Sequence, residues 1–370
     1  MPALPTDPVE QLRRRAEQEV AAGNIPSCQF ALARDGEVLV QETIGAPDSS
    51  RYTIFSATKP IVASVIWQLI AEGELDPAEP VSTWWPGFAQ NGKDGVTLDH
   101  LLLHTAGFPH AQLDWSTMGD REARVKQMEA WTLISAPGSS YVYHGLSAHW
   151  VLAELITLRT GLDHRAAVRE RVLDPLGLDR LELGVPPERG HDVRPLQLIG
   201  RQLSRAEFAE SLGLDFEIPE GALVDLPPFN EPEARAAGVP GAGAVSDARS
   251  LALFHQALLH NTSRLWDPAV LADVTGNVRN RLPDAFGIPA MRTRGLETSG
   301  DGPGAAARIG MGSTSPGTFG HPGAAGQLAW TDPANGLTFV FLTDGADQNP
   351  AQEFQRSIDL CRLAAACGSV

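Results

Sequence analysis

The stretch FSATKP, residues 55–60, runs directly into the apolar segment IVASVIWQLIAEGEL, residues 61–75. The chain of 370 residues contains three lysines against 26 arginines, so the position of Lys59 is informative. Residues three apart project from one face of a helix, and Ser56 and Lys59 therefore present a hydroxyl and an amine to the same small volume. This is the arrangement that a nucleophile and its base require.

Pro60 indicates that Ser56 lies at the start of a helix, because proline lacks an N–H and is tolerated only near a helix start. At that position the backbone N–H of Ser56 is unpaired and can help to stabilise an oxyanion. The alternative is that Ser56 caps the helix and Lys59 is a solvated side chain. With 21 serines in the chain, this spacing arises by chance in about one such sequence in six, so further residues have to decide.

The remaining sequence predicts strands near both ends of the chain. Asp35-Gly36 is a hairpin signal between two β-rich runs, and the apolar helix extends from about Ser56 to Glu72. Strand patterns return late in the chain, where a turn is expected from Asp332 to Gly336, and a last helix starts at Asn349-Pro350.

Short helical patterns fill the segment between these strand-rich regions. We therefore predict an α/β (α+β) protein in which residues 1–75 and 229–370 form a discontinuous α/β sheet lobe. Residues 76–228 are predicted to form a mainly helical lobe, with the active site between the two. Four tryptophans in or near this insert can wall an acyl pocket or belong to the core: Trp84, Trp85, Trp115 and Trp131.

Composition limits the partners of the chain. A formal charge of −16 and a pI near 5.0 disfavour nucleic acid or an anionic membrane, since phosphate binding needs clustered basic residues. The N-terminus lacks the apolar core of a signal peptide, and we predict a cytoplasmic protein with a small-molecule substrate. Composition does not predict the oligomeric state. Cys28, Cys361 and Cys367 have no ligand-like spacing and are predicted to be free and buried.

Tyrosines provide the third group that serine and lysine need to pass a proton to a leaving atom. Two of the three tyrosines, Tyr141 and Tyr143, occur in PGSSYVYHG, residues 137–145. Together with FSATK, with LLLHTAGFP at residues 101–109 and with FGHPGAAGQLAW at residues 319–330, this segment resembles the serine β-lactamase and penicillin-binding-protein superfamily. The class C-like esterases called family VIII carboxylesterases are the most similar group.

The resemblance implies a β-lactamase/transpeptidase-like fold, with an antiparallel sheet flanked by helices and a helical lobe. It implies that Ser56 is the acylated nucleophile, that Lys59 is its base and that Tyr143 protonates the leaving group, while Tyr141 packs in the wall. The segment from His321 to Ala324 falls where the family has Lys-Thr-Gly. The backbone N–H groups of Ser56 and Ala324 are then the two oxyanion donors.

Departures from the family pattern point to the substrate. Gly145 stands where class C β-lactamases have asparagine, and His321 with Pro322 replaces the lysine and threonine that grip a carboxylate. Both losses favour an ester over an amide, so we expect a carboxylesterase that cleaves short-chain acyl esters or lactones. The remaining pocket candidates are His144, which is more simply explained as a hydrogen-bonded scaffold residue, and Gly323.

Two alternatives stay open: a β-lactamase, D-amino peptidase or amidase of the same superfamily, and a non-catalytic acyl-binding or sensing module. Acyl transfer to an alcohol is a further variant of the same chemistry. No metal or organic cofactor is expected. His100 and His104 are four apart, but no third ligand is evident and no HExxH pattern is present.

Overall fold

The computed structural model describes residues 4–201, 203–211, 226–302 and 304–368. The strands are β1 Cys28–Arg34, β2 Glu37–Ile44, β3 Tyr52–Thr53, β4 Glu182–Leu183, β5 Gln197–Ile199, β6 Ala244–Ser246, β7 Glu297–Thr298, β8 Phe319–Gly320, β9 Leu328–Asp332, β10 Leu337–Thr343 and β11 Gly345–Asp347. The α-helices are α1 Thr6–Ala21, α2 Lys59–Ala71, α3 Leu98–Leu102, α4 Arg121–Ala130, α5 Ser147–Thr160, α6 His164–Val168, α7 Arg205–Ser211, α8 Pro232–Ala237, α9 Ala248–His260, α10 Pro268–Gly276 and α11 Pro350–Ala366.

The main sheet is antiparallel throughout, with strand order β2-β1-β10-β9-β8-β7. Asp35 and Gly36 join β1 to β2 with φ of 55° and 80°, the two positive values that a tight hairpin turn requires. The turn between β9 and β10 and the last helix also lie where the sequence predicts them. In the last helix, the Asn349 side chain accepts a hydrogen bond from the N–H of Ala351.

The two faces of the sheet pack against different helices. Because successive side chains of a strand point to opposite faces, Phe30 and Leu32 of β1 face α1 and α11, whereas Ala31 and Ala33 face α9 and the larger core. The prediction of an antiparallel sheet flanked by helices is therefore confirmed. The three cysteines are free and buried, also as predicted.

Helix α2 runs through the middle of the larger core, and every residue from Lys59 to Leu69 is buried. Its predicted start at Ser56 is wrong by one turn. Residues Phe55–Thr58 form a 3₁₀ turn, which ends where the N–H of Lys59 donates to the Ser56 carbonyl, and the α-helix begins at Lys59. Pro60 explains the shift, because it has no N–H to continue the ladder from the preceding turn.

The segment between residues 76 and 228 holds helices α3 to α7, as well as two short strands that the sequence did not predict. Strand β4 pairs with β6, and β5 pairs in parallel with β11 near the C-terminus. Part of the predicted helical lobe, residues 212–225, lies outside the described residues, and the division into lobes stays a prediction. Within the described ranges, no helix has both the length and the apolar character needed to span a membrane.

Candidate functional site

Ser56 and Lys59 meet at the start of α2. The Lys59 Nζ atom lies 3.0 Å from Ser56 Oγ, 2.8 Å from the Gly145 carbonyl oxygen and 2.7 Å from the Gly241 carbonyl oxygen. The two carbonyls can only accept hydrogen bonds, so they occupy both hydrogens of a neutral amine. The lone pair of that amine then faces the Ser56 hydroxyl, which is the geometry of a base beside a nucleophile.

The surroundings of Lys59 favour the neutral amine. The side chain is fully buried, and no carboxylate contacts it among the described residues. Burial holds the pKa of Lys59 well below its usual value, and the nearby Arg292 guanidinium lowers it further. A lysine with this environment favours the neutral form and can act as a base.

Tyr143 lies against the same pair. Lys59 Nζ is 4.9 Å from the centroid of the Tyr143 ring. The phenol oxygen is buried and makes no hydrogen bond of acceptable geometry within the described residues, although the Ser56 hydroxyl lies near enough to lower its pKa. Burial has the larger effect and raises the pKa of Tyr143. The resting phenol therefore carries its proton and is available to a substrate atom.

The segment after β8 closes the site on the other side. A Cβ atom on Gly323 would lie 2.3 Å from the Ile54 carbonyl oxygen, so this glycine lets the segment after β8 approach the backbone two residues before Ser56. The Gly323 N–H pairs with Gln327, whereas the Ala324 N–H has no hydrogen-bond partner in the described part of the chain. In the turn at Phe55–Thr58, the first N–H that donates a backbone hydrogen bond is that of Ala57, which bonds the Ile54 carbonyl. The Ser56 N–H precedes it and donates no hydrogen bond within this turn.

His144 holds two loops together. Its Nδ1 atom lies 2.7 Å from the Val142 carbonyl oxygen, and its Nε2 atom accepts from the Phe108 N–H at 3.3 Å. Burial lowers the pKa of His144 to about 4, so the ring is neutral. Both ring nitrogens are occupied, which favours the scaffold interpretation over substrate contact. The neighbouring Gly145 contributes its carbonyl to Lys59.

Arg292 is a site residue that sequence reasoning missed. Its Nη1 atom lies 2.9 Å from His321 Nε2, its Nη2 atom lies 2.8 Å from a Glu297 carboxylate oxygen, and the guanidinium carbon is 5.4 Å from the Tyr143 ring centroid. The Tyr141 phenol lies near enough to the same guanidinium to raise the pKa of Arg292. Among 26 arginines, no local pattern distinguishes Arg292.

Histidines supply a second set of contacts that the sequence did not assign. The His104 ring lies 4.7 Å from the Tyr143 ring and 6.1 Å from the His149 ring, and its Nδ1 atom accepts from the His144 N–H. His100, weighed with His104 as a metal pair, instead takes part in a capping box with Thr97 at the start of α3. The two histidines thus serve separate structural contacts.

Backbone strain borders the site at four non-glycine residues. Phe55, His104, Met291 and Ala325 have φ of 44°, 57°, 49° and 59°. The first, third and fourth are chain neighbours of Ser56, Arg292 and Ala324. Positive φ is costly for residues with a Cβ atom, and such strain concentrates at functional sites.

Aromatic side chains extend the wall beyond Ser56. Phe55 packs edge-on against Phe229, and Phe229 packs edge-on against Trp115, both at 5.3 Å between ring centroids. Trp131 instead packs on Phe108 at 5.7 Å. Of the tryptophans predicted as wall candidates, Trp115 is therefore the one linked through ring contacts to the residue before Ser56.

Comparison with known proteins identifies the family. A model of the β-lactamase family matches residues 12–361. The chain belongs to the β-lactamase family. Esterase EstB of Burkholderia gladioli is 30% identical over 366 residues, which cover 85% of this chain and 85% of EstB. The esterase/β-lactamase LipL of Mycobacterium tuberculosis is 29% identical over 306 residues, which cover 78% of this chain and 68% of LipL.

A solved family VIII carboxylesterase has the same fold as this β-lactamase-family chain. It superposes with a TM-score of 0.78 at 21% identity, and the match covers 98% of this chain and 99% of the carboxylesterase. The superfamily membership and the β-lactamase/transpeptidase-like fold implied by the sequence are confirmed. The relatives of this family member include esterases, at modest sequence identity.

Proposed function

We propose that the protein is a serine carboxylesterase that hydrolyses short-chain acyl esters or lactones through an acyl-enzyme on Ser56. The observation that carries this proposal is the Lys59 amine, whose hydrogens are held by the Gly145 and Gly241 carbonyls while its lone pair faces Ser56 Oγ. A buried, neutral amine in this position has a role in nucleophile activation that a solvated lysine would not have.

Acylation begins when Ser56 Oγ attacks the ester carbonyl carbon and gives its proton to Lys59. The oxyanion lies between the N–H groups of Ser56 and Ala324, which have no other partner among the residues that the structure describes. Tyr143 protonates the departing alcohol and is reprotonated by the Lys59 ammonium, so the alcohol carries the former Tyr143 proton and the Ser56 proton ends on Tyr143. Water then attacks the acyl-enzyme with the same groups in reverse order, and no metal or organic cofactor takes part.

The substrate preference follows from what faces the nucleophile. Gly145 offers no carboxamide to hold a substrate amide, and His321 is neutral because burial and the adjacent Arg292 keep its pKa well below the usual value. The positive charge of Arg292 is matched by Glu297. A substrate carboxylate therefore meets a neutral His321 and an Arg292 already paired with Glu297, which suits an uncharged ester more than a carboxylate-bearing lactam or peptide.

One observation favours the second candidate, a β-lactamase, D-amino peptidase or amidase. Arg292 is a cation close to the position of the missing lysine, and release from Glu297 would let it bind a substrate carboxylate. The relative LipL is named both as an esterase and as a β-lactamase. A non-catalytic acyl-binding module has no comparable support, because such a protein would not need a neutral Lys59 beside Ser56.

The test compares p-nitrophenyl acetate and butyrate with a matched p-nitroanilide and a chromogenic cephalosporin. Wild type, Ser56→Ala and Ser139→Ala are assayed together; Ser139 is exposed, and its hydroxyl donates to the Ala136 carbonyl. We expect ester turnover in wild type and Ser139→Ala, and none above background in Ser56→Ala. A cephalosporin or anilide rate above every ester rate would overturn the ester preference, and Ser56-independent turnover would overturn the mechanism.

A further inference from the structure

The contacts of Arg292 fix the proton position on His321. An arginine side chain can only donate hydrogen bonds, so His321 Nε2 must accept from Nη1 across the 2.9 Å separation. The ring proton is then on Nδ1, which donates to the Pro322 carbonyl oxygen at 2.8 Å. His321 is thereby held as one neutral tautomer, with its ring 6.0 Å from that of Tyr143.

Arg292 itself is held in place from two sides. Glu297 binds its Nη2 atom and also accepts the Ile309 N–H at 2.7 Å, and the backbone of Arg292 pairs with Asn280. The Arg292 side chain is only 8% exposed. A guanidinium held by these contacts contributes a positive charge beside the Tyr143 ring.

We propose that Arg292 is a positioning residue for the reaction: it orients His321 and supplies a fixed positive charge beside Tyr143 while that phenol passes a proton. The inference rests on the proposed function. When Tyr143 gives its proton to the leaving alcohol, negative charge develops on the phenol oxygen until the Lys59 ammonium returns a proton. Lys59 Nζ and the Arg292 guanidinium both lie close to this ring, at 4.9 Å and 5.4 Å from its centroid.

A purely structural salt bridge is the competing explanation, and pH dependence separates the two. The titratable groups that face the Arg292, Lys59 and Tyr143 cluster are Glu297, Tyr141, His321, His104 and His149. Arg292 lowers the pKa of Lys59, Tyr143 and His321. Its removal should therefore move both limbs of the pH profile of kcat/KM to higher pH, whereas loss of a structural contact would lower activity without moving either limb.

The first experiment needs no substrate and stands even if the proposed function fails. Histidine-selective ¹⁵N NMR reports the tautomer of each ring, and His321→Asn assigns the signal. We expect wild-type His321 to be neutral with its proton on Nδ1, and to titrate at higher pH in Arg292→Met, with a smaller shift in Arg292→Lys because lysine keeps the positive charge. A wild-type ring protonated on Nε2, or a titration unchanged in both variants, would overturn the proposal.

The second experiment measures pH profiles of ester hydrolysis in the same variants. Arg308→Met is the matched control, because Arg308 is also a buried arginine. Its guanidinium donates to the Ser299, Pro289 and Asp301 carbonyls. We expect Arg292→Met to lower kcat about 100-fold and to shift the profile to higher pH, Arg292→Lys to restore the profile in part, and Arg308→Met to keep the wild-type profile. Loss of activity at an unshifted pH profile, with no rescue by lysine, would refute a positioning role.

Discussion

Replacing Gly323 by alanine should separate the two proposed oxyanion donors. The added Cβ atom would lie 2.3 Å from the Ile54 carbonyl oxygen and 2.9 Å from the Gln327 Cβ atom. Backbone torsion is not the obstacle, because Gly323 lacks a positive φ. To reach an ordinary van der Waals distance, the Gly323 backbone and the Ile54 backbone must move apart by about 1 Å. Ile54 is two residues before Ser56, and Gly323 is next to Ala324, so this movement acts directly on both N–H groups.

A 1 Å error in the position of catalytic groups costs about 100-fold in rate, and we expect kcat of Gly323→Ala on p-nitrophenyl acetate to fall by that order. Overpacking should also lower the unfolding free energy by about 1–3 kcal/mol, measured by urea unfolding. Gly95→Ala is the control, because a Cβ atom there would meet nothing within 4 Å. A folded Gly323→Ala protein with kcat within twofold of Gly95→Ala would refute the reasoning.

Three further predictions address the base, the core and acid stability. Lys59→Arg introduces a side chain that stays protonated, so ester turnover should fall about 1000-fold; near-normal kcat would disprove the role of the base. Lys93→Met removes an ammonium that donates to three backbone carbonyls, and urea unfolding should show a loss of about 3 kcal/mol; an unchanged midpoint would contradict this. Burial lowers the pKa of His144, His164 and His255 to about 4 from the usual 6.5. Below pH 6.5 the unfolded chain therefore binds more protons, and the unfolding free energy should fall towards pH 4 by up to about 3 kcal/mol for each histidine. The dependence should weaken in His255→Leu, and a flat urea series across this window would exclude the effect.

Local sequence patterns predicted the elements whose stabilising contacts are local. The Asp35-Gly36 turn needs two residues with positive φ, and the Asn349 cap bonds a group two residues away. Ser56 and Lys59 were recognised for the same reason, since they are three positions apart in the sequence. The Ser56 turn was misassigned as α-helix because Pro60 was interpreted as a sign of a helix start at Ser56, whereas its missing N–H separates the 3₁₀ turn at Phe55–Thr58 from α2.

The site residues and strand pairings that the sequence did not predict depend on contacts between distant parts of the chain. Arg292 is 29 residues from His321, and its surrounding sequence has no helical or strand period. Gly241 accepts a hydrogen bond from Lys59 through its backbone carbonyl. Every residue has this group, so the residue type at position 241 does not predict the contact. The parallel pairing of β5 with β11 joins the middle of the chain to its end, and three-residue strands are too short for a periodic signal.

The most direct test of the central claim is the mass of the protein during turnover. Wild type and Ser56→Ala are mixed with p-nitrophenyl butyrate, quenched in acid during the reaction and analysed intact and after proteolysis. We predict a butyryl adduct in wild type on the peptide that carries Ser56, and no adduct in Ser56→Ala. Ester turnover with an adduct on another residue, or an equal adduct in the variant, would contradict the proposal that Ser56 is the nucleophile.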